Sequence, residues 1–261
     1  MRREVRPITL APKLRLYQHN LPGRLIVFSG IDGSGKTTLI ALTRAYLQKH
    51  GVPCKEITLL SRQCRALSYF RSYAADPLIA AQKNFDLVSL CVICFGDRLM
   101  TVRTRLIPTL RRGFWVLCDR YVYTAFAELA AIGCPAQDMA AMRALARLMP
   151  APDLAVLADV SANEAVRRIK RRPNEHNRKT DGTHLERLVG SFRSLAAANS
   201  LAVVPTAQTA EEAFYDVRYR LDPVIEVWQN SSAQGTRKNR DAAIGPNGGT
   251  GLGLSRRKEM V

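Results

Sequence analysis

The segment from Ile26 to Leu39, IVFSGIDGSGKTTL, constrains the fold of this chain more than any other. An apolar run typical of a buried strand passes into a glycine-rich turn, and the residues that follow suit the start of a helix. The spacing Gly-x-x-x-x-Gly-Lys-Thr in this context is the pattern of a phosphate-binding loop, or P-loop. Its glycines let backbone N–H groups converge on phosphate oxygens, and the helix N-terminus adds partial positive charge. The segment therefore predicts a nucleotide at the end of the first strand.

The loop supplies a full set of candidate ligands for ATP. They are Gly30, Gly33, Ser34, Gly35, Lys36, Thr37 and Thr38. We expect Lys36 to bridge the terminal phosphates and Thr37 to ligate magnesium. Asp32 is less expected, because a carboxylate within a phosphate loop repels the bound anion. It either faces a second substrate and accepts hydrogen bonds from it, or stabilises the turn by capping its own backbone.

Apolar strands alternate with helical segments along most of the chain. The predicted strands are Leu25 to Ser29, Lys55 to Leu60, the stretch FWVLCD ending at Asp119, Pro152 to Val160 and Leu201 to Val204. Right-handed crossovers place the intervening helices on both faces of a parallel sheet. We therefore expect a three-layer α/β fold of the P-loop NTPase type with about five strands. Ligands should collect at the carboxyl ends of the strands.

The ends of the chain differ from its middle in composition. The chain has 261 residues, with 39 Lys and Arg against 22 Asp and Glu, which gives a net charge of +17. This charge favours polyanions but does not choose between nucleotides and nucleic acid. We expect a basic extension at residues 1–22, a kinase domain at 23–229 and a basic disordered tail at 230–261 that is too polar to form a core. The extension is interpreted as a disordered leader or, alternatively, an organelle transit peptide.

No apolar run approaches the roughly 20 residues that cross a bilayer, so we expect a cytoplasmic protein without membrane contact. The tails would bind nucleic acid only non-specifically. Six cysteines in apolar surroundings suit reduced thiols. Cys91 and Cys94 form a C-x-x-C pair, which we interpret as buried packing on a helix and not as a zinc site, because no second pair lies near it.

Asp119, Arg120 and Tyr121 directly follow a predicted strand. An acid at a strand end beside a P-loop can hold magnesium or take a proton from the acceptor, and an adjacent arginine can clamp phosphate. The alternative is an ordinary surface Asp-Arg pair.

Arginines crowd the helix predicted from Ala162 to Arg172 and the polar segment after it. Arg168, Arg172 and Arg178 are candidates for a mobile lid that stabilises the charge of a transferred phosphoryl group. On the apolar helix before FWVLCD, Arg98 could meet a second phosphate and Phe95 could stack on a base, although Phe95 also suits the core.

These motifs together resemble the thymidylate kinase family over roughly Arg24 to Trp228. The resemblance rests on FSGIDGSGKTT, GDR at Gly96 to Arg98, IPTLRRGFWVLCDRYVYT, PDLAVLADV and the arginines of the predicted lid. An aspartate in the loop, combined with Asp-Arg-Tyr after the third strand, is far more specific than a P-loop alone.

The resemblance implies magnesium-dependent transfer of the ATP γ-phosphoryl group to thymidylate, giving the diphosphate, and it suggests a homodimer. The implied catalytic residues are Lys36, Asp119, Arg120, Arg168, Arg172 and Arg178. The implied metal ligands are Thr37 and Asp119. The implied acceptor-binding residues are Asp32, Arg62, Phe95, Arg98, Tyr121 and Thr124.

Three departures from the family pattern fall in the acceptor pocket. The family has an Arg-Glu-Pro-Gly-Gly stretch after the second strand, and in this chain only Arg62 could correspond to it. The position of the family's base-stacking Phe is occupied by Cys94. The family's Ser-x-x-Ala-Tyr-Gln is replaced by the segment from Thr124 to Leu129. Such changes can redirect a substrate site. The alternatives are therefore a related kinase acting on another nucleotide, nucleoside or small metabolite, and a non-catalytic nucleotide- or nucleic-acid-binding protein.

Overall fold

A computed structural model describes residues 12–82, 84–172 and 182–243. The chain divides into two compact units, with the boundary between Leu221 and Asp222. All of the predicted site residues that are described belong to the first unit. Arg178 lies outside the described residues.

Five strands form one sheet in the order β2-β3-β1-β4-β5, and every neighbouring pair is parallel. The strands are β1 (Leu25–Ser29), β2 (Cys54–Thr58), β3 (Trp115–Asp119), β4 (Leu154–Asp159) and β5 (Ala202–Pro205). The central strand β1 is entirely buried, as its unbroken apolar sequence predicts. The predicted parallel α/β fold is thus confirmed, and the carboxyl ends of β1, β3 and β4 meet at one edge.

The helices lie between and after these strands. They are α1 (Lys36–Lys49), α2 (Arg62–Ala66), α3 (Ser68–Ala75), α4 (Leu87–Thr101), α5 (Ile107–Arg111), α6 (Val122–Ala131), α7 (Ala136–Ala146), α8 (Ala162–Lys170), α9 (Gly182–Asn199) and α10 (Ala210–Ala243). A 3₁₀-helix covers Pro77–Ala81, and a π-helical turn, Val102–Leu106, joins α4 to α5.

The direction of each crossover places the helices on both faces of the sheet. The connection from β1 to β2 runs across the sheet in one direction, and all later connections run in the other. Right-handed crossovers therefore put α1 on one face and the helices between β2 and β5 on the opposite face. The start of α10 returns to the face of α1, where Phe214 contacts Tyr46 edge-on with ring centroids 5.7 Å apart.

The N-terminal segment 12–22 is docked on the domain and does not form the free leader that its composition predicts. The amide of Tyr17 donates to the Met149 carbonyl over 3.1 Å, and the amide of Ala151 donates to the Tyr17 carbonyl over 2.7 Å. The amide of Leu14 donates to Asn199 Oδ1 over 2.7 Å, and the Leu14 side chain is buried. Residues 1–11 lie outside the described part of the chain.

Asp153, just before β4, fastens the same segment to the start of β1. Its carboxylate accepts a hydrogen bond from the Leu25 amide over 2.7 Å and lies 3.0 Å from His19 Nε2 and 3.4 Å from Arg24 Nε. These contacts lie at the amino end of the sheet. The edge that carries the P-loop is on the other side.

The last helix, α10, continues to Ala243, whereas the sequence predicts its end near Trp228. Residues such as Ala233, Gln234 and Arg237 have good intrinsic helix propensity, which offsets the low apolar content used to predict disorder. The boundary of the predicted tail at residue 230 stays a prediction. None of the described helices combines the length and the apolar character that crossing a bilayer requires.

Candidate active site

The phosphate loop follows β1 and depends on glycines for its shape. Gly30, Gly33 and Gly35 have φ angles of 138°, 81° and 83°. A Cβ atom on Gly33 would lie 2.7 Å from the Ala165 carbonyl oxygen, and one on Gly30 would lie 2.6 Å from that of Ala158. Both the conformation and the close approach of the backbone therefore require glycine. Ser34 is fully buried, while Thr37 and Thr38 are exposed in the first turn of α1.

Lys36 begins α1 and turns back into the loop. Its side chain is 6% exposed, and Nζ donates a hydrogen bond to the Ile31 carbonyl over 2.7 Å. The pKa of Lys36 is lowered to about 7, chiefly by burial and also by the nearby Arg120, while Asp32 and Asp119 oppose the shift. The amine is therefore surrounded by the charged groups that the sequence assigned to phosphate and metal.

Asp119 ends β3 directly beside the last residues of β1, because Phe28 pairs with Asp119 in the parallel register. Asp119 Oδ1 is buried and accepts no hydrogen bond from the described residues. A carboxylate oxygen in that position, at the end of the strand beside the P-loop strand, suits a hard cation such as Mg²⁺. The described residues contain no cluster of three His, Cys, Asp or Glu side chains that could hold a metal. Magnesium would therefore need further oxygen ligands from nucleotide phosphates and water.

Arg120 is paired with Asp32 of the loop. Its guanidinium donates a hydrogen bond to Asp32 Oδ1, and both side chains are about one-third exposed. The Arg120 backbone has φ 63°, and its amide donates to the Phe28 carbonyl over 2.8 Å. A non-glycine residue in the left-handed region is held there by its surroundings, and such positions concentrate at functional sites.

Arg98 in α4 is buried, with only 5% of its surface exposed. Within residues 12–82, 84–172 and 182–243 its guanidinium makes no hydrogen bond and no ion pair. Burial lowers the pKa of Arg98, and the nearby Arg120 lowers it further. A buried guanidinium without a protein partner is costly, so this position is suited to an anionic ligand.

The other predicted acceptor residues fall in three kinds of environment. Phe95 is 2% exposed and belongs to the core cluster. Tyr121 is fully buried and donates a hydrogen bond to the Pro150 carbonyl over 2.6 Å. These placements favour packing over ligand contact. Thr124 is buried, and its Oγ1 has no hydrogen-bond partner in the described structure, whereas Arg62 is exposed at the start of α2.

Arg168 differs from the mobile lid residue that the sequence predicts. Its Nε donates to Glu164, and its other nitrogens donate to the Thr206 carbonyl over 2.6 Å and the Gly33 carbonyl over 3.4 Å. Arg168 and Arg172 line a cavity of about 310 Å³ beside the P-loop, together with Thr38 and the segment that leads from β5 into α10. The position of Arg168 is therefore fixed by α8 and the loop itself.

Comparison with known proteins identifies the family of the chain. A sequence model of the family described as thymidylate kinase matches residues 28–217. The chain belongs to the thymidylate kinase family. It is 31% identical over 189 residues to the thymidylate kinase of Chromohalobacter salexigens, and this match covers 72% of the chain and 85% of that protein. As a member of this family the chain is a kinase, and its class is nucleoside monophosphate phosphotransferase.

Two further relatives cover a similar part of the chain. A probable thymidylate kinase of Pyrococcus abyssi is 28% identical over 193 residues, which are 70% of this chain and 90% of that protein. The thymidylate kinase of Prochlorococcus marinus is 24% identical over 215 residues, which are 79% of this chain and 99% of that protein. The docked N-terminal segment lies before the family match.

Sequence reasoning missed one polar cluster in this thymidylate kinase family member. It consists of Tyr73, Glu128 and His184. The available signal was Glu128 itself, which stands where the family pattern has tyrosine, in a helix with few other polar residues.

Proposed function

We propose that the chain transfers the γ-phosphoryl group of ATP to the 5′-phosphate of thymidylate, giving thymidine diphosphate and ADP. The observation that carries the proposal is that Arg120 interacts electrostatically with both of the groups that we assign to phosphate binding. Lys36 and the P-loop form one, and the buried Arg98 forms the other.

The residues have separable roles in this reaction. The loop amides and Lys36 hold the β- and γ-phosphates, and the cavity lined by Arg168 accommodates the donor's base and sugar. Arg98 holds the acceptor's phosphate. Arg120, oriented by Asp32, interacts electrostatically with Lys36 and Arg98 and stabilises the charge that develops on the transferred group.

The cofactor of the proposal is magnesium, with Thr37 and Asp119 as its protein ligands. When bound, Mg²⁺ neutralises charge on the β- and γ-phosphate oxygens. We assign the pair of Asp32 and Arg120 to the acceptor side and not to the metal.

The test is turnover of ATP by the purified full chain with a panel of nucleoside monophosphates, nucleosides and sugars, with both products identified by chromatography. Thymidylate should be converted far faster than the other acceptors, and Lys36→Ala should abolish turnover without changing the melting temperature. Preferred turnover of another acceptor would contradict thymidylate as the substrate. Absence of turnover with every acceptor would contradict the kinase assignment.

We also propose that the protein acts in the cytoplasm as a homodimer paired through α4. The exposed face of this helix carries Val92, Ile93 and Met100, with Gly96 between them. An uncharged face can pack against its own copy about a twofold axis, and glycine allows close approach. Light scattering should give a dimer for the full chain and a monomer for Ile93→Glu. A monomeric wild-type protein would contradict this interface.

A further inference from the structure

Three polar side chains from three helices meet in one cluster outside the cavity beside the P-loop. Glu128 Oε2 in α6 accepts a hydrogen bond from the Tyr73 hydroxyl in α3, and it lies 3.6 Å from His184 Nε2 in α9. The Glu128 side chain is 18% exposed and that of His184 is 12% exposed. A half-buried carboxylate with this access to solvent has room for another hydrogen-bond donor.

The described residues contact only one of the two carboxylate oxygens. Both contacts go to Oε2, and no described residue donates a hydrogen bond to Glu128 Oε1. Tyr73 keeps its proton, because desolvation and the adjacent Glu128 raise its pKa well above 10. Its ring stacks on Phe85, with ring centroids 6.1 Å apart and an interplanar angle of 19°. Tyr73 therefore holds the carboxylate in one orientation and leaves Oε1 unpaired.

Glu128 lies near the proposed acceptor phosphate group and away from the ATP cavity. Burial is the main cause that raises the pKa of the Cys91 thiol in α4. The Glu128 carboxylate raises this pKa as well and the Arg98 guanidinium lowers it, so both charged groups act on the same thiol. The residues that line the cavity beside the P-loop come from the loop, α1, α8 and the residues just after it, and the segment from β5 into α10. None comes from α3, α4 or α6. Glu128 thus shares its surroundings with Arg98.

We propose that Glu128 is a specificity-determining residue whose Oε1 accepts a hydrogen bond from an N–H or O–H group of the acceptor nucleotide. Tyr73 is its positioning residue. This inference rests on the proposed function. In thymidylate the donor is either the N3–H group of the base or the 3′-hydroxyl of the sugar, and the chemistry is the same for both.

A carboxylate is suited to this selection because it can only accept hydrogen bonds. A ligand without the donor leaves a half-buried, charged oxygen unpaired, and sites of this kind reject such analogues strongly. Glu128→Gln conserves shape and lets the amide oxygen accept from Tyr73. The amide nitrogen, a donor, then faces the ligand's donor.

The experiment measures KM for both substrates, kcat and the melting temperature of Glu128→Gln and Tyr73→Phe. Glu128→Gln should raise the KM for thymidylate by about 10- to 100-fold and leave the KM for ATP within about twofold of wild type. Tyr73→Phe should raise the thymidylate KM by about threefold, because the carboxylate remains but loses its orientation. The exposed Glu186→Gln is the matched control and should change none of these values.

Two analogues identify the donor. N3-methylated thymidylate lacks the N3–H donor, and 3′-deoxythymidylate lacks the 3′-hydroxyl donor. The analogue that lacks the group bound by Glu128 should have the same KM with wild type and with Glu128→Gln. The inference is overturned if Glu128→Gln leaves the thymidylate KM unchanged, if it raises both KM values together, or if neither analogue removes the difference.

Failure of the proposed function would be recognised separately, as absence of turnover by wild type. Calorimetric titration with thymidylate and both analogues would then decide the role of Glu128. Equal affinities of wild type and Glu128→Gln would overturn it, and weaker binding of thymidylate by Glu128→Gln would support it.

Discussion

Asp32 in the phosphate loop is paired with Arg120 at the end of β3, so the loop and the neighbouring strand share one charged contact at the centre of the site. The pair removes the conflict of a carboxylate beside bound phosphate, because its negative charge is balanced locally.

The pair predicts non-additive kinetics. Asp32→Asn and Arg120→Met should each lower kcat/KM by about 100-fold, because each leaves its partner misplaced, and the double variant should be little worse than either one. Both groups are about one-third exposed, so the melting temperature should change little. Steady-state kinetics of the three variants provide the measurement. Multiplicative effects would show that the two residues act independently.

Lys36 predicts a pH dependence of ATP binding. The free enzyme loses the Lys36 proton as the pH rises through about 7. Bound triphosphate favours the charged amine and raises its pKa, so binding above this pH requires proton uptake. Affinity should therefore fall between about pH 7.5 and pH 9, by up to about tenfold per unit. Calorimetry in buffers of different ionisation enthalpy measures both effects.

The matched variant for this prediction is Lys36→Arg, whose guanidinium stays charged over the same range. Its ATP affinity, although weaker, should not decline over this interval. A parallel decline in both proteins would assign the pH dependence to another group.

We expect substitution of Arg98 to weaken acceptor binding without lowering the stability of the fold. Arg98→Met removes a buried charge that has no partner in the described structure, so the free energy of unfolding should stay equal or rise by about 1 kcal/mol. The KM for the acceptor should rise by about 100-fold through loss of its phosphate contact. Chemical denaturation and kinetics test the two parts. A large loss of stability would indicate a structural role for the guanidinium, and Arg103→Met, on the exposed surface, is the control.

Asp153 predicts a change in stability without a change in catalysis. Asp153→Ala leaves the Leu25 amide without its acceptor and loses the contacts to His19 and Arg24, and it should lower the free energy of unfolding by about 1–3 kcal/mol. Its kinetics should match wild type because it lies at the opposite end of the sheet.

A chain that starts at Gly23 should show a similar loss of stability, and Asp153→Ala should then cost less, since one of its partners, His19, is gone. If Asp153→Ala lowers the free energy of unfolding equally in the shortened and the full chain, the carboxylate does not act through the N-terminal segment.

The sequence predicted those elements of the fold that are determined by residues close to one another in the chain. The strands, the loop glycines and the order of elements follow from short apolar runs and their spacing. Helices α2 and α3 were missed because this stretch is short and has little buried apolar surface beyond Cys64.

The side-chain environment was harder to predict than the site's composition. Tyr121 was assigned to the acceptor, but sequence could not reveal the Pro150 carbonyl that its hydroxyl contacts. Arg168 was assigned to a mobile lid. However, Glu164 lies four residues before it, and this spacing is typical of an ion pair within a helix. Asp153, Tyr73 and Glu128 have partners that are distant in sequence, so no local pattern marks them.

The docking of the N-terminal segment also sets an order of events during synthesis. The amide of Leu14 and its acceptor in Asn199 are separated by 185 positions. During translation the segment leaves the ribosome long before Asn199, and this contact cannot form until almost the whole sheet has been made. Closing the amino end of the sheet is therefore a late step in the maturation of the nascent chain.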